Sequence, residues 1–126
     1  MEATTMNPTQ PTTEARKFDN QKNRWDLMPF RALDSVARIM TYGAQKYGDR
    51  NWENGTNPAF VMRQLAAAYR HLHSHMTGNK FDVESGLMHL AHAATDILMA
   101  LELELRLTER ALDELNFKEI KRSDER

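Results

Sequence analysis

The chain has 126 residues, of which 40% are hydrophobic and 28% charged, with a formal net charge of -1 and no cysteine. That length suits one domain with a single core. The balanced charge excludes the broad basic field of nonspecific nucleic-acid binders, and the missing cysteines exclude disulfides and thiolate metal sites. No apolar run approaches the roughly 20 residues of a membrane span. We therefore expect a globular, cytoplasmic protein that binds neither nucleic acid nor membranes.

The two ends of the chain differ from its middle in composition. Residues 1–14 are rich in Thr and Pro, show no helical period and lack the apolar centre of a signal peptide. They predict a disordered N-terminal arm. Residues 15–117 are predicted to form the single domain, and 118–126 a charged tail that frays.

The domain begins with a polar segment, 17–29, that predicts an ordered loop or short hairpin lying on the helical body. Lys22 and Arg24 in this segment can face a phosphate group, or they can be ordinary solvated surface charges. The expected apolar anchors of the loop are Phe18, Trp25 and Leu27.

Two helices follow from clear start and stop signals. Apolar residues at helical spacing predict the first helix over 29–47, with Gly48 as its stop. The second is predicted over 57–76, with Asn57 as the N-cap and Pro58 at the first position.

A third, long helix is predicted to begin near Asp82 and to run past Asp96, because Gly86 is the only turn residue in 82–114. Leucines alternate with charged residues over 101–107, which is also a strand signature, but the uninterrupted length favours a helix. Leucines on two faces cannot all be buried in one protomer. We therefore expect an all-α, homo-oligomeric helical bundle, most simply a dimer.

The start of this third helix carries a polar stripe. At about 100° per residue, His89, His92 and Asp96 fall within roughly 60° of one another, with Ser85 in the same row. Asp82 and Glu84 lie off the stripe in the first predicted turn, from which they can converge on the same site. An apolar face, roughly 150° away, is formed by Leu87, Leu90, Ala94, Ile97 and Leu101.

Neutral imidazole and carboxylate are the usual ligands of divalent metals, so this stripe predicts a metal site. Two alternatives remain open from spacing alone: a solvated helix flank, or core histidines bonded to carbonyl groups. His71, His73 and His75 on the second helix scatter around its axis, so that only His71 can reach a common site.

The segment 43–55 joins the first two helices and contains three glycines, two basic residues and two aromatic residues. Such a loop can hold a flat ring and an anion together. The alternative is a packed connection in which Trp52 fills a hydrophobic gap.

No P-loop, dinucleotide-binding glycine motif, nucleophile elbow or zinc-protease motif is present. There is also no adjacent His-Asp pair of the kind found in one class of metal-dependent phosphohydrolases. The remaining candidate functional groups are the carboxylates and histidines on one helix, the arginines on another, and a loop with Lys, Arg and Trp. With a divalent ion, these are the components of phosphoanhydride hydrolysis.

An ordered series of motifs carries a family resemblance. They read KFDxxKxRxDLxP over 17–29, YGAxKYGDRNWxxG over 42–55, RHL over 70–72 and DxESGLxHLAHAA over 82–94. Together they resemble the phage dATP/dGTP diphosphohydrolase family, whose members are similar to the MazG-like all-α nucleoside triphosphate pyrophosphohydrolases. The resemblance covers roughly 15–102.

This resemblance implies a Mg²⁺- or Mn²⁺-dependent hydrolase that converts purine deoxynucleoside triphosphates, dGTP or dATP, to the monophosphate and pyrophosphate. In phages that replace adenine with 2-aminoadenine, it implies a supply of dGMP for the modified base. The homo-oligomer expected from the leucine faces is a dimer or tetramer. The chain departs from the MazG pattern, because its second helix has no carboxylate where those enzymes carry E-x-x-E or E-x-x-D.

The metal assignments therefore rest on helix geometry, and the substrate contacts are named with the resemblance in view. The expected catalytic residues are Glu84, Asp96 and His92. The expected metal ligands are Glu84, Asp96, His92, His89 and Glu53. Phosphate contacts are expected from Lys22, Arg24, Lys46 and Arg50, and base or sugar contacts from Asn51 and Trp52. Arg70 is expected to be a further substrate-binding residue. Two other classes stay open: a non-catalytic helical accessory protein that binds a partner, and a nucleotide-binding regulator that has lost the chemistry.

Overall fold

The computed structural model describes residues 13–124, which contain three α-helices, two short 3-10 helices and no strand longer than an isolated bridge. The elements in chain order are a 3-10 helix Trp25–Leu27, α1 Phe30–Tyr47, a 3-10 helix Asn51–Asn54, α2 Pro58–Met76 and α3 His89–Asp124. The predicted all-α class is confirmed.

The bounds of α1 and α2 agree with the sequence prediction because both helices have local end signals. Gly48 ends α1 at a φ of 95°, and its N–H donates to the carbonyl of Ala44 at 2.8 Å. The side chain of Asn57 accepts a hydrogen bond from the amide of Phe60 at 2.9 Å, with Pro58 at the first helical position.

The predicted start of α3 near Asp82 is wrong. Residues 82–88 form a tight turn closed by a bridge between Phe81 and Met88, and the helix begins at His89. The side chain of Asp82 accepts a hydrogen bond from the amide of Ser85, and Gly86 adopts a left-handed φ of 73°. A short polar side chain bonded to its own turn competes with the helix, and glycine supplies the conformation that the turn needs.

Helices α2 and α3 pack in opposite directions, since His71 contacts His89 near one end and Val61 meets Leu103 near the other. Their shared apolar cluster is small, with partly buried side chains packed around its edge. It consists of Val61, Ala100 and Leu103, surrounded by Trp52, Phe60, Leu65 and Leu107. Helix α1 packs on α3 beside this pair.

The face of α3 that carries His89 points inward, and the leucine face points outward. His89 is 6% exposed and Thr95 is fully buried, whereas Leu101, on the predicted apolar face, is 52% exposed. The interior of the helical body in the single chain is therefore partly lined with polar side chains.

The segment 17–29 does not lie on the body as expected. Phe18 and Trp25 are 84% and 72% exposed, and Leu27 is also exposed, so their predicted anchoring is wrong for the single chain. The predicted arm, 1–14, falls mostly outside the described residues, and α3 continues through Asp124 across most of the predicted tail. Among the described helices, none combines the length and the apolar character needed to cross a membrane.

Replacing Gly86 with alanine tests the turn before α3. A side chain at a φ of 73° is strained, although nothing lies within 4 Å of the added Cβ. We expect Gly86→Ala to lower the free energy of unfolding by about 1 kcal/mol in urea titrations. Gly43→Ala is the matched control, because Gly43 lies within α1 and also has open space, so alanine there is expected to stabilise. Equal stabilisation by both substitutions would contradict the left-handed turn.

Candidate metal centre

Three side chains from three elements converge where α2 meets the start of α3. His71 comes from α2, Asp82 from the turn and His89 from the first residue of α3, and one possible ligand atom of each lies within 4.8 Å of the others. The Nδ1 atoms of His71 and His89 are 2.9 Å apart. Two imidazoles and one carboxylate are thus brought to a common point inside the helical body.

The carboxylate of Asp82 is held in place by its own turn. Its Oδ2 accepts hydrogen bonds from the Ser85 amide at 2.8 Å and from the Ser85 hydroxyl at 2.9 Å. Because that hydroxyl proton is used, the Nε2 of His92 donates to the Ser85 oxygen, over a distance of 2.7 Å. A chain from His92 through Ser85 therefore fixes the orientation of Asp82.

His92 also connects the centre to α1. Its ring stacks on that of His71, with centroids 4.5 Å apart and an interplanar angle of 11°. The ring of Tyr42 meets His92 edge-on at 6.4 Å. Side chains of all three helices thus enclose the centre.

The electrostatic setting favours metal donors. Burial, together with the neighbouring histidines, lowers the pKa of His71, and burial lowers the pKa of His92. Burial alone would raise the pKa of Asp82, but the hydrogen bonds from Ser85 and the nearby histidines outweigh it and lower that pKa. At neutral pH the rings of His71 and His92 are therefore neutral and the Asp82 carboxylate is charged. Neutral imidazole and ionised carboxylate are the forms that bind a cation.

Glu84 lies two residues from Asp82 but has different partners. Its Oε1 accepts hydrogen bonds from the ammonium of Lys46 at 2.6 Å and from the hydroxyl of Tyr42 at 2.8 Å. These bonds lower the pKa of Glu84 and raise that of Lys46. The pair fastens the turn to α1 on the exposed side of the centre.

Asp96 lies one turn beyond His92 on α3 and is largely buried. Its Oδ2 has no hydrogen-bond partner among residues 13–124, and burial raises its pKa to about 6 against a smaller opposing effect of Arg70. Glu53, the other predicted ligand, instead bonds Arg50 at 2.8 Å and lies 3.6 Å from Arg106.

The predicted substrate-binding residues are spread over several places. Arg24 forms a two-point ion pair with Asp26, at 2.7 and 2.9 Å. Trp52 packs against the core cluster, with the guanidinium of Arg106 5.7 Å from its ring centre, which is the packing role that the sequence left open. Exposed positions are occupied by Lys22, Lys46, Arg50, Asn51 and Arg70.

The sequence assignments omitted His71 and Asp82 from the metal ligands, although both stand inside the recognised motifs RHL and DxESGLxHLAHAA. His71 was separated from His89 by an unknown register between two helices. Helical spacing sets Asp82 off the stripe, whereas its residues form a turn in the structure, and this turn brings Asp82 to the histidines.

Asp96 provides a test of the buried polar face. The pKa of Asp96 is about 6 in the folded chain and 3.8 in the unfolded chain, so the folded state favours the protonated carboxyl. The stabilisation from this protonated form is complete below pH 3.8 and is lost as the pH rises through about 6. We expect Asp96→Asn in chelator to raise the Tm by about 4 °C near pH 7.5, an effect of about 1 kcal/mol after allowance for partial exposure, and to leave it unchanged near pH 4. Asp113→Asn, at an exposed position on α3, is the control and should show no such pH dependence. A variant less stable than the parent near pH 7.5 would show that the Asp96 carboxylate is stabilised by a partner.

Comparison with known proteins places the chain in a family. The family described as dATP/dGTP diphosphohydrolase, N-terminal, matches residues 12–113. A curated protein of Salmonella phage PMBT28, named dATP/dGTP diphosphohydrolase, is 38% identical over 82 residues, which make up 65% of this chain and 27% of that protein. This chain therefore corresponds to about a quarter of its relative, and no solved structure matches it. The match over most of the chain shows that it belongs to the dATP/dGTP diphosphohydrolase N-terminal family.

Proposed function

We propose that this domain hydrolyses purine deoxynucleoside triphosphates, dGTP or dATP, to the monophosphate and pyrophosphate with the help of a divalent ion, Mg²⁺ or Mn²⁺. The observation that carries the proposal is the convergence of His71, Asp82 and His89 within 4.8 Å. The family description and the name of the phage relative support the substrate class. Since such substrates are cytoplasmic, we place the protein in the host cytoplasm.

The donor set fits a divalent ion. The Nε2 of His89 is buried without a hydrogen-bond partner in the described part of the chain, and the facing Nδ1 atoms of His71 and His89 share at most one proton between them in a direct contact. His71, Asp82 and His89 would hold the ion. When bound, a divalent ion at this place supplies charge neutralisation for the phosphate oxygens and a lower pKa for a water molecule.

The exposed side of the centre supplies the charges that a triphosphate requires. Lys46 remains protonated because Glu84 raises its pKa. Its ammonium pairs with Glu84 and so joins α1 to the turn that carries Asp82. An incoming phosphate can replace Glu84 as the partner of Lys46, since the pair is exposed and exchanges readily with solvent ions. Lys46 then compensates for phosphate charge while Glu84 is released.

In the proposed reaction, a water oxygen bonds to the α-phosphorus, the bond from that phosphorus to the bridging oxygen breaks, and pyrophosphate leaves. The water proton goes to Glu84. This carboxylate is ionised at neutral pH, both while Lys46 and Tyr42 lower its pKa and after phosphate has released it from Lys46. His92 positions Asp82 through Ser85. Asp96, as an additional acid on the same helix, and Glu53 remain predicted contributors to metal binding or catalysis.

The remaining substrate contacts are proposals that follow from the resemblance. Besides Lys46, the charged groups assigned to the phosphates are Lys22, Arg24 and Arg50. Asn51 and Trp52 are assigned to the base and sugar, and Arg70 is a further substrate contact. Supply of dGMP for 2-aminoadenine-containing phage DNA is the proposed role in the cell.

The proposal is tested by incubating the chain with each deoxynucleoside triphosphate and Mg²⁺ or Mn²⁺ and separating the products by chromatography. Monophosphate plus pyrophosphate from dGTP or dATP is the expected outcome. We expect Glu84→Gln to lower turnover at least about a hundredfold while the helical circular dichroism signal is kept, because the proton acceptor and the Lys46 contact are both altered. Glu104→Gln, an exposed change on α3, is the matched control.

Other outcomes of the same assay would favour different functions. Thermal stabilisation by dGTP without turnover would replace the hydrolase by a nucleotide-binding regulator. No turnover and no stabilisation would leave a partner-binding helical protein. Normal turnover in Glu84→Gln would remove Glu84 from the site.

We also propose that the domain assembles through the outer face of α3. Leucines there recur alternately three and four residues apart, which is the spacing of a coiled-coil seam, and each is between 44% and 59% exposed in the single chain. A second copy supplies an identical seam, so each leucine would pack between those of its partner. The seam consists of Leu98, Leu101, Leu105, Leu112 and Leu115, with Thr108 at the intervening position.

Light scattering at micromolar concentration is expected to give the mass of a dimer or tetramer. Leu105→Glu places like charges at the centre of the seam and should weaken association at least about tenfold. Glu104→Ala, at the neighbouring position off the seam, should leave the mass unchanged. A monomeric parent chain would rule out the assembly.

A further inference from the structure

The ligand types at the centre point to a narrower class of ion. We propose that His71, Asp82 and His89 bind a single first-row transition-metal ion, in the range from Mn²⁺ to Zn²⁺, in preference to Mg²⁺. This inference deepens the proposed function, and rests on it for the role of the centre in hydrolysis.

The donor atoms distinguish between the two classes of ion. Mg²⁺ is a hard ion that takes oxygen ligands and retains most of its water, whereas imidazole nitrogen suits the later transition metals. Two of the three converging ligands are imidazoles, and only Asp82 offers oxygen. A set of two histidines and one carboxylate is typical of transition-metal sites with open coordination positions.

The spacing of the nitrogens supports binding to one ion. Two nitrogens that each lie about 2.1 Å from an ion, at a right angle, are separated by about 3.0 Å. The Nδ1 atoms of His71 and His89 are 2.9 Å apart. Without an ion, one of these two nitrogens has to carry a proton toward the other, and the Nε2 of the buried His89 ring still has no hydrogen-bond partner among the described residues.

The ligands are also held before any ion binds. His89 is 6% exposed, His71 is stacked on His92, and Asp82 is bonded by Ser85. Such outer contacts fix the rotamers of ligands and strengthen metal affinity. Glu84 is exposed by comparison, and its carboxylate is bound to Lys46 and Tyr42 instead of facing the histidines.

The test measures ion binding directly and without nucleotide. The full chain, freed of metal by chelation and dialysis, is titrated calorimetrically with Mg²⁺, Mn²⁺, Co²⁺, Ni²⁺ and Zn²⁺, and Co²⁺ binding is also followed by visible absorption. We expect one Co²⁺, Ni²⁺ or Zn²⁺ per chain, at least about a hundredfold tighter than Mg²⁺, with Mn²⁺ between them, and a Co²⁺ spectrum that shows nitrogen ligands.

Two variants and a control locate the ion. His71→Gln and Asp82→Asn should each weaken Co²⁺ and Ni²⁺ binding at least about tenfold with the helical circular dichroism signal unchanged. His73→Gln is the matched control, since His73 is exposed on the same helix two residues away. A loss in His73→Gln as large as in His71→Gln would place the ion on the exposed histidines and overturn the proposal.

The remaining outcomes separate this inference from the proposed function. Mg²⁺ binding as tight as that of Co²⁺, or no saturable binding of Co²⁺, Ni²⁺ and Zn²⁺, would overturn the inference even if Mg²⁺ supports hydrolysis. The parent chain could instead bind a transition metal tightly, with weaker binding in both His71→Gln and Asp82→Asn, but hydrolyse no deoxynucleoside triphosphate. That result would uphold the metal centre and overturn the function.

Discussion

The contact between His71 and His89 is the feature on which the arrangement of the helices depends. A buried leucine needs only van der Waals neighbours, whereas a buried imidazole must also satisfy two ring nitrogens. Here the rings face each other, a third ring stacks on His71, and the turn before α3 brings a carboxylate to the same point. The small apolar cluster, which lies early in α2 and well before the end of α3, then sets only the packing distance, while the histidines set the register between the helices.

Placing this polar stripe inside has a consequence for the outside of α3. A helix with two different faces can bury only one of them against α1 and α2, and the face that carries Leu101 and Leu105 is left half exposed. Exposed leucines in a regular seam are costly for an isolated chain, and a second copy relieves that cost. The polar interior and the proposed assembly are therefore linked: the leucines are available to a partner because histidines occupy the protomer's interior.

Local signals and long-range contacts were predictable to different degrees. The ends of α1 and α2 follow from Gly48, Asn57 and Pro58, each of which acts within one turn of itself. The common face of His89, His92 and Asp96 follows from the helical period alone. Within 82–88 only Gly86 indicated a turn. Asp82 is a residue type that stabilises turns and also caps helices, so its identity did not distinguish the two structures. The partnership of His71 with His89 depends on how two helices slide past each other, which no local pattern specifies.

The turn between α2 and α3 carries two carboxylates, Asp82 and Glu84, that are two residues apart and have different hydrogen-bond partners. Asp82 is bonded by Ser85 on the buried side, next to the histidines, and Glu84 is bonded by Lys46 on the exposed side, next to α1. Alternate residues of an extended or tightly turned backbone point in different directions, so this division follows from the chain's geometry. In the proposed reaction, phosphate competes with Glu84 for Lys46, which would loosen the contact between the turn and α1 and free a base beside the centre. Binding of the substrate and release of the proton acceptor would then happen together, and a helix continued back to Asp82 would have separated these two groups.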